Sequence, residues 1–374
     1  MNEVDRQYKE LIKKILDEGV EKKDRTGVGT KSIFGHIMRF KMSDGFPLLT
    51  LRKIHVKSVI HEMLWFLGAF EDEYREFGNT NIRYLLDNSV TFWSEWPYHH
   101  YLKLREYRPE LPEFTMKQFE EKIKIDDKFA REFGSIGKGY GHQWLKFGSV
   151  IEEKIVDREV PAPKTLDDIE DTIKQNMMRK EIKYYPGFNQ IDGLLEELKK
   201  DPDSRRLILM AWKPDEISEA LLPPCHYGFQ LYTYRMPANE RIKEYLKWTK
   251  ENNAEAVPMD QCDFPKRKIS MMLQIRSNDI FLGNPYNIAE YSLLLHMIAQ
   301  VSNMIPNELI VNIGDAHLYN NSIDAAKTLL ERESFELPQI RLKSGIKNIY
   351  DFRYDDIEII NYKSHSNIKV DVAV

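Results

Sequence analysis

Cys225 stands in the run LPPCHYGFQ, behind two prolines and directly before His226. The prolines fix the backbone and remove two amide donors. A thiol held at a rigid turn beside an imidazole has the makings of a nucleophile, because the thiolate is the reactive form. A small buried cysteine would have the same neighbours, so both readings stand on this motif alone. Cys262 lies in a charged stretch and reads as incidental. Glu62 sits within VIHEMLWFL, among Val59, Ile60, Met63, Leu64 and Phe66. A carboxylate there is costly unless it is paired or functional, and burial would raise its pKa toward proton relay. A helix face that reaches solvent is the alternative.

Arginines recur beside small or polar residues: Arg25 in DRTG, Arg205 and Arg206 in DPDSRR, and Arg276 in IRSND. Guanidinium forks suit phosphate oxygens, although a lone arginine is more often a solvated ion-pair partner. If 204–212 is a buried strand, Arg205 or Arg206 must point inward and needs an anion. Two glycine runs are false leads. DRTGVGT lacks the third glycine and preceding strand of a dinucleotide fingerprint, and GSIGKGYG lacks P-loop spacing. His99 and His100 have no Cys or carboxylate at metal-ligand spacing, so no metal is expected.

The elements that must position these residues follow from periodicity. Val4, Tyr8, Leu11, Ile12, Ile15 and Leu16 recur at helical spacing. SIFGHIMRF reads as a strand, and 53–67 as a mostly buried helix. SRRLILMAW (204–212) and FQLYTY (229–234) read as buried strands, and KISMMLQIRS (268–277) as an antiparallel neighbour. Helices are predicted over 288–303 and 321–332. Strands are grouped rather than alternating with helices, which predicts an α+β fold. Three charged stretches, 98–133, 149–200 and 235–267, read as insertions on the surface of one core spanning 1–374, because loops tolerate added chain; separate small domains are the competing reading.

With 374 residues the chain has ample core without staples. Its net charge of −5 gives no global attraction to nucleic acid. Two cysteines exclude a disulfide framework and predict a cytoplasmic setting. MNEVDRQYKE has no signal-peptide apolar run, and no stretch approaches a membrane span.

Together the segments resemble the thymidylate synthase family. The motifs DRTGVGTKSIFG (24–35), HEMLWFL (61–67), NTNIRYLLDNSVTFWSEW (79–96), YGHQW (140–144) and DPDSRRLILMAW (201–212) occur in the family's order. They continue with LPPCHYGFQLY (222–232), IRSNDIFLGNPYNIAEY (275–291), GDAHLYNN (314–321) and IKNIYDFRYDDIEI (346–359). The resemblance implies a three-layer fold whose mixed, twisted sheet forms a dimer interface. It implies one-carbon transfer from 5,10-methylenetetrahydrofolate to C5 of dUMP, with Cys225 attacking C6. Arg25, Arg205, Arg206, Arg276 and Ser277 would bind the phosphate, the pair 205–206 reaching into the partner's site of a homodimer. Gln230 joins the substrate residues, and His317 and Tyr319 would hold the deoxyribose hydroxyl. Glu62 would organise the proton relay, Tyr140 would assist proton removal from C5, and His226 would join the water network by the base. Asp279 would hold the pterin ring, with Arg52, Trp93, Leu282, Gly283, Tyr286 and the terminal Val374 around the folate. Asn287 would read the base, since an amide can accept from N3–H and donate to O4 of uracil. Family members that act on dCMP carry aspartate there. A catalytically silent RNA-binding or regulatory member is the competing class, and the charge and the retained Cys225, Glu62 and Asn287 oppose it.

Five positions depart from the family's pattern: Ile275 for a glutamine, Lys138 for the proline of the LGPxYG loop, Glu290 for a serine, Ser322 for a histidine, and Arg52 for a lysine. The RSND run and the lost glutamine and proline resemble phage hydroxymethylases, which admit water at the last step, and Glu290 would then orient that water; neutral drift in a fast-evolving synthase is the alternative. The expectation is therefore a phage-type dUMP hydroxymethylase. Trp93, His226 and the terminal Ala-Val point instead to a synthase that makes dTMP and dihydrofolate.

Overall fold

The computed structural model describes residues 1–23, 27–156, 179–251, 255, 257–259 and 261–371. Six strands form one sheet in the order β1 (Val20–Lys22), β2 (Thr30–Lys41), β8 (Ile305–Tyr319), β7 (Arg267–Asp279), β6 (His226–Arg235) and β5 (Ile208–Met210). All pairings are antiparallel except β7–β8, which is parallel. Parallel neighbours need a crossover, commonly a helix, and α10 (Asn284–Val301) supplies it. The architecture is the α+β fold with a mixed, twisted sheet that the sequence predicts.

Alternation divides the sheet into two faces. Phe229, Leu231, Met271, Leu273, Leu309 and Val311 are buried on one. Ile37, Ile208, Gln230, Tyr232 and Met272 are exposed on the other, aligned by pairs such as Met272–Gln230 and Ile208–Gln230. Against the buried face lie α1 (Glu3–Glu18) and α10. The first buries Val4, Tyr8, Leu11, Ile12 and Ile15 along one stripe, and Asn2 caps it by accepting from the Asp5 amide. α10 is apolar nearly all round, as a helix covered on both sides must be. Beyond it lie α2 (Val56–Leu67) and α7 (Tyr140–Lys146), α2 touching both α10 and α7. This third layer is why Glu62, on α2, is only 5 % exposed.

The stretch 204–212 differs from expectation. Only 208–210 are extended, and Arg205 and Arg206 are both exposed rather than one of them buried. The Ser204 amide donates to the Asp201 carbonyl at 3.0 Å, so a turn occupies the start of the segment and β5 is a short edge strand. FQLYTY also differs, because its Gln230 and Tyr232 reach the open face. The run 268–277 is the antiparallel neighbour of β6 as predicted, in register from Arg235–Arg267.

Each charged stretch also buries apolar side chains. Residues 98–133 include most of α4 (Glu95–Tyr107) and all of α5 (Met116–Ile125) and α6 (Asp127–Phe133), with Tyr101, Phe119, Ile123 and Phe133 in the common core. Within 149–200, β3 (Val150–Val156) pairs with β4 (Arg179–Tyr185), and α8 (Gln190–Lys200) buries Ile191, Leu194 and Leu198. Within 235–267, α9 (Ala238–Glu251) packs Tyr245 on Phe264, ring centroids 5.2 Å apart.

The loop before α7 is fixed by Gly137. Its φ is +79°, and a Cβ there would collide with the Glu219 carbonyl oxygen. Lys138 ties the same loop down through Glu219 at 2.9 Å and Glu216 at 3.3 Å. Gly137→Ala should therefore cost about 1–3 kcal/mol, read as a lower unfolding midpoint in urea with an unchanged m value.

Candidate active site

The turn that carries Cys225 is held from two sides. Arg276, on the neighbouring strand β7, donates through Nε to the Pro224 carbonyl and through Nη2 to the Pro223 carbonyl, both at 2.9 Å. Its own amide donates to the Cys225 carbonyl at 2.9 Å, and its guanidinium lies 5.3 Å from the Trp212 ring centroid. The same Nη2 is 4.0 Å from Cys225 Sγ. A cation beside sulfur favours the thiolate. From the other side, Tyr140 Oη accepts the Cys225 amide at 2.8 Å. The prolines thus expose carbonyls that Arg276 uses, while the one amide left at the turn is satisfied by Tyr140. Cys225 is half-buried and outside any disulfide.

Behind the thiol is a wall of rings. Tyr140 lies 4.4 Å from His226, 5.1 Å from Phe66 and 5.5 Å from Trp93, centroid to centroid. Tyr140 itself has φ +31°, a strained value for a non-glycine residue. Burial and then the neighbouring Cys225 push its hydroxyl well above the usual phenol range, so it is protonated. Burial lowers His226 to about 3, leaving it neutral. Its Nδ1 shares a 2.7 Å hydrogen bond with Tyr291 Oη.

Below the rings is a polar chain. Trp93 Nε1 donates to Glu62 Oε1 at 2.6 Å. The Glu290 carboxyl, from α10, is the other group that faces Glu62. Burial and then the charge of Glu290 raise the Glu62 carboxyl well above the ordinary range. Asn287 Nδ2 donates to Glu290 Oε2 at 3.4 Å, and Asn287 Oδ1 accepts from Asn278 Nδ2 at 3.0 Å. Asn284 Nδ2 then donates to Asn278 Oδ1 at 2.7 Å. Of its four hydrogen-bonding positions, the Asn287 amide thus keeps one N–H and one lone pair for a ligand.

The loop after β7 gathers most of the remaining predicted residues. Asp279 Oδ1 accepts the amides of Phe281 at 2.9 Å and Leu282 at 3.1 Å, and burial raises its carboxyl. Half-buried Leu282, Gly283 and Tyr286 follow. Arg52 is 2 % exposed and donates to the Phe281 carbonyl at 2.5 Å and to that of Leu282 at 3.4 Å. It braces this loop from inside. Parallel pairing sets Ser277 beside Asp315 and Asp279 beside His317. His317 and Tyr319 share a side of β8, their rings 5.3 Å apart, as extended spacing predicts. His317 Nδ1 is 3.1 Å from Asp315 Oδ1.

Some predicted residues stand apart. Arg205 and Arg206 are exposed at the sheet edge, and Gln230 lies on the open face, its Nε2 donating to the Arg205 carbonyl at 3.4 Å. Arg25 and Val374 lie outside the described residues. Among the described residues no cluster of His, Cys, Asp or Glu is arranged to hold a metal, and no helix is long and apolar enough to cross a membrane. Sequence reading missed Trp212, Asn278 and Tyr291. Asn278 carried a signal, an amide two residues after Arg276 in a strand that otherwise buries apolar groups.

The five departures are mostly structural. Ile275 is buried against β6 and β8 partners His226 and Ile313. Ser322 Oγ donates to the Tyr319 carbonyl at 2.8 Å in the turn before α11 (Ile323–Glu331). Lys138 and Arg52 hold loops. Glu290 alone faces Glu62 and Asn287 with its side chain.

The thymidylate synthase family profile matches residues 6–374. The chain is 39% identical over 368 residues to a thymidylate synthase of Mycoplasma mobile, covering 98% of this chain and 99% of the relative. It is 38% identical over 369 residues to the thymidylate synthase of Malacoplasma penetrans, covering 99% and 100%. With that of Mycoplasma pneumoniae the identity is 34% over 368 residues, covering 98% and 99%. None of these relatives is named a hydroxymethylase or comes from a phage.

Replacing Arg276 by glutamine removes the cation and the two carbonyl contacts at the Cys225 turn. Alkylation of Cys225 by iodoacetamide, followed by mass spectrometry at neutral pH, should slow by about tenfold or more. Arg276→Lys should recover only part of the rate, because a point charge cannot span both carbonyls.

Proposed function

The chain belongs to the thymidylate synthase family and is a one-carbon transferase, and from this we propose that it converts dUMP and 5,10-methylenetetrahydrofolate to dTMP and dihydrofolate. The expected hydroxymethyl product gives way to the synthase reading for two reasons. The relatives carry the synthase name. The observation that carries the choice chemically is the ring wall of Phe66, Trp93, Tyr140 and His226 beside Cys225. Such a surface has little to hold a water in place, and the last step of a synthase needs hydride to win over water.

The residues divide the work as follows. Cys225, its thiolate favoured by Arg276, bonds to C6 of the pyrimidine, and C5 becomes nucleophilic toward the methylene carbon of the folate. Asn287 reads uracil with its remaining N–H and lone pair. Glu62, protonated, donates toward the base while charge builds on it, and takes the proton back later. Tyr140 Oη lies next to the Cys225 amide and assists removal of the C5 proton. Arg25, Arg276 and Ser277 hold the phosphate, and His317 with Tyr319 the sugar. Asp279, Trp93, Leu282, Gly283, Tyr286 and Val374 meet the folate, while Arg52 acts on it only through the loop it braces.

Gln230, Arg205 and Arg206 lie at the open sheet face and its edge. We propose that two chains join through this face, with the arginine pair completing the phosphate site of the partner. The three charged stretches are then parts of one catalytic domain, since each buries apolar side chains.

Incubation of dUMP with methylenetetrahydrofolate should give dihydrofolate, followed by its absorbance, in equal amount to dTMP. A hydroxymethylated nucleotide without dihydrofolate would sink the synthase reading. Cys225→Ser should lower kcat by about a thousandfold or more. Tyr232→Glu, which places a charge in the open face, should convert dimers to monomers by light scattering and lose activity at the same time.

A further inference from the structure

Asn287 and Glu290 are three residues apart on α10 and so share a face. That face meets α2 at Glu62. Both carboxyls are deeply buried, Glu290 at 1 % and Glu62 at 5 % exposure. Among the described residues, no lysine or arginine forms an ion pair with either. The titratable groups around them are Tyr140, Tyr291 and His226, the tyrosines protonated and the imidazole neutral. Two carboxylates in such a place cannot both be ionised, because neither water nor a cation offsets the repulsion.

The hydrogen bonds say where one proton must be. Glu62 Oε1 already accepts from Trp93, and Glu290 Oε2 accepts from Asn287. Glu290 Oε1 is buried and receives no N–H or alcohol donor. The group that does meet Glu290 is the carboxyl of Glu62, which can donate only if it is protonated. We propose that Glu290 is a positioning residue that holds a single proton jointly with Glu62 through one oxygen and fixes the amide of Asn287 through the other.

The consequence for Asn287 is directional. An ionised carboxylate only accepts, so Nδ2 must turn toward Glu290 and Oδ1 toward Asn278. A reversed amide would face oxygen with oxygen. In the fixed sense the amide offers a donor for O4 and an acceptor for N3–H. Reversed, it would offer an acceptor for the amino group of cytosine and a donor for its N3. Glu290 thereby links the residue that handles protons to the residue that discriminates the base. This second half rests on the function proposed above, whereas the shared proton does not.

The test uses the full-length protein and the variants Glu290→Gln, Glu290→Ser and Glu62→Gln. Infrared spectra of the substrate-free protein are followed through a pH titration. The wild type should show the carbonyl stretch of a buried protonated carboxyl at neutral pH, and Glu62→Gln should lose it. In Glu290→Gln or Glu290→Ser the band should titrate away at least about one pH unit lower. A band absent from the wild type, or unmoved in both Glu290 variants, overturns the proposal. The activity readout is the ratio of kcat/KM for dUMP over dCMP. Glu290→Gln, whose amide can donate or accept, should lower this ratio about tenfold or more by freeing Asn287 to turn. An equal loss on both nucleotides would mean a merely structural role and overturns the second half. Wild type that shows the shared proton but has no activity on dUMP would refute the proposed function and leave the acid pair standing.

Discussion

The guanidinium of Arg276 is the tie on which the site depends. It joins two adjacent strands at the point where one of them begins, using the carbonyls that Pro223 and Pro224 leave unpaired. A bulge between His226 and Gly228 shifts the β6–β7 register there, and such bulges re-aim side chains next to active sites. The result is a thiol set against a cation on one side and against Tyr140 on the other. Without that tie the turn would lose two charge-assisted hydrogen bonds, each worth roughly 1.5–3 kcal/mol, and the sulfur would lose its neighbouring charge.

The second constraint is dryness. Three stacked layers place Glu62 under α10, where a carboxyl stays neutral. The aromatic wall then links this acid to the thiol's turn, Trp93 donating to Glu62 and Tyr140 accepting from the Cys225 amide. Neutral His226, protonated Tyr140 and an acid pair with one proton give a site with few fixed charges apart from Arg276. Polar groups in such a medium interact strongly, and each one left unpaired is costly. That explains why the amides of Asn284, Asn278 and Asn287 run head to tail into Glu290 instead of pointing at random.

Exposed apolar groups on the outer sheet face give a different kind of constraint. Tyr232 and Ile37 are 67 and 58 % exposed, while Leu231, Met38 and Phe40 on the opposite face of the same strands are buried. Isolated exposed apolar residues need no explanation, but a patch aligned by strand register does. The chain thus has its candidate site on the buried side and exposed apolar groups on the other, with Arg205 and Arg206 at the sheet edge.

The sequence by itself determined most of the local elements and singled out the candidate reacting groups. Helical and strand periods are short-range properties, so α1, α2, α10 and the β6–β7 pair were legible. Motif order carried the family. It could not decide the state of each group, because protonation and orientation depend on neighbours distant in the chain. Glu62 read equally as solvated or buried until α10 was laid across it. Arg205 and Arg206 read as one buried arginine, because apolar residues after them extended the apparent strand, whereas a turn at 201–204 ends it early. Ile275, Lys138 and Arg52 looked like changes in chemistry, whereas in the structure Ile275 packs between β6 and β8 and Lys138 and Arg52 brace loops. Glu290 looked like a water-holding residue. Only its contact with Glu62, 228 positions away in the sequence, makes it half of an acid pair, since a buried charge is defined by what surrounds it.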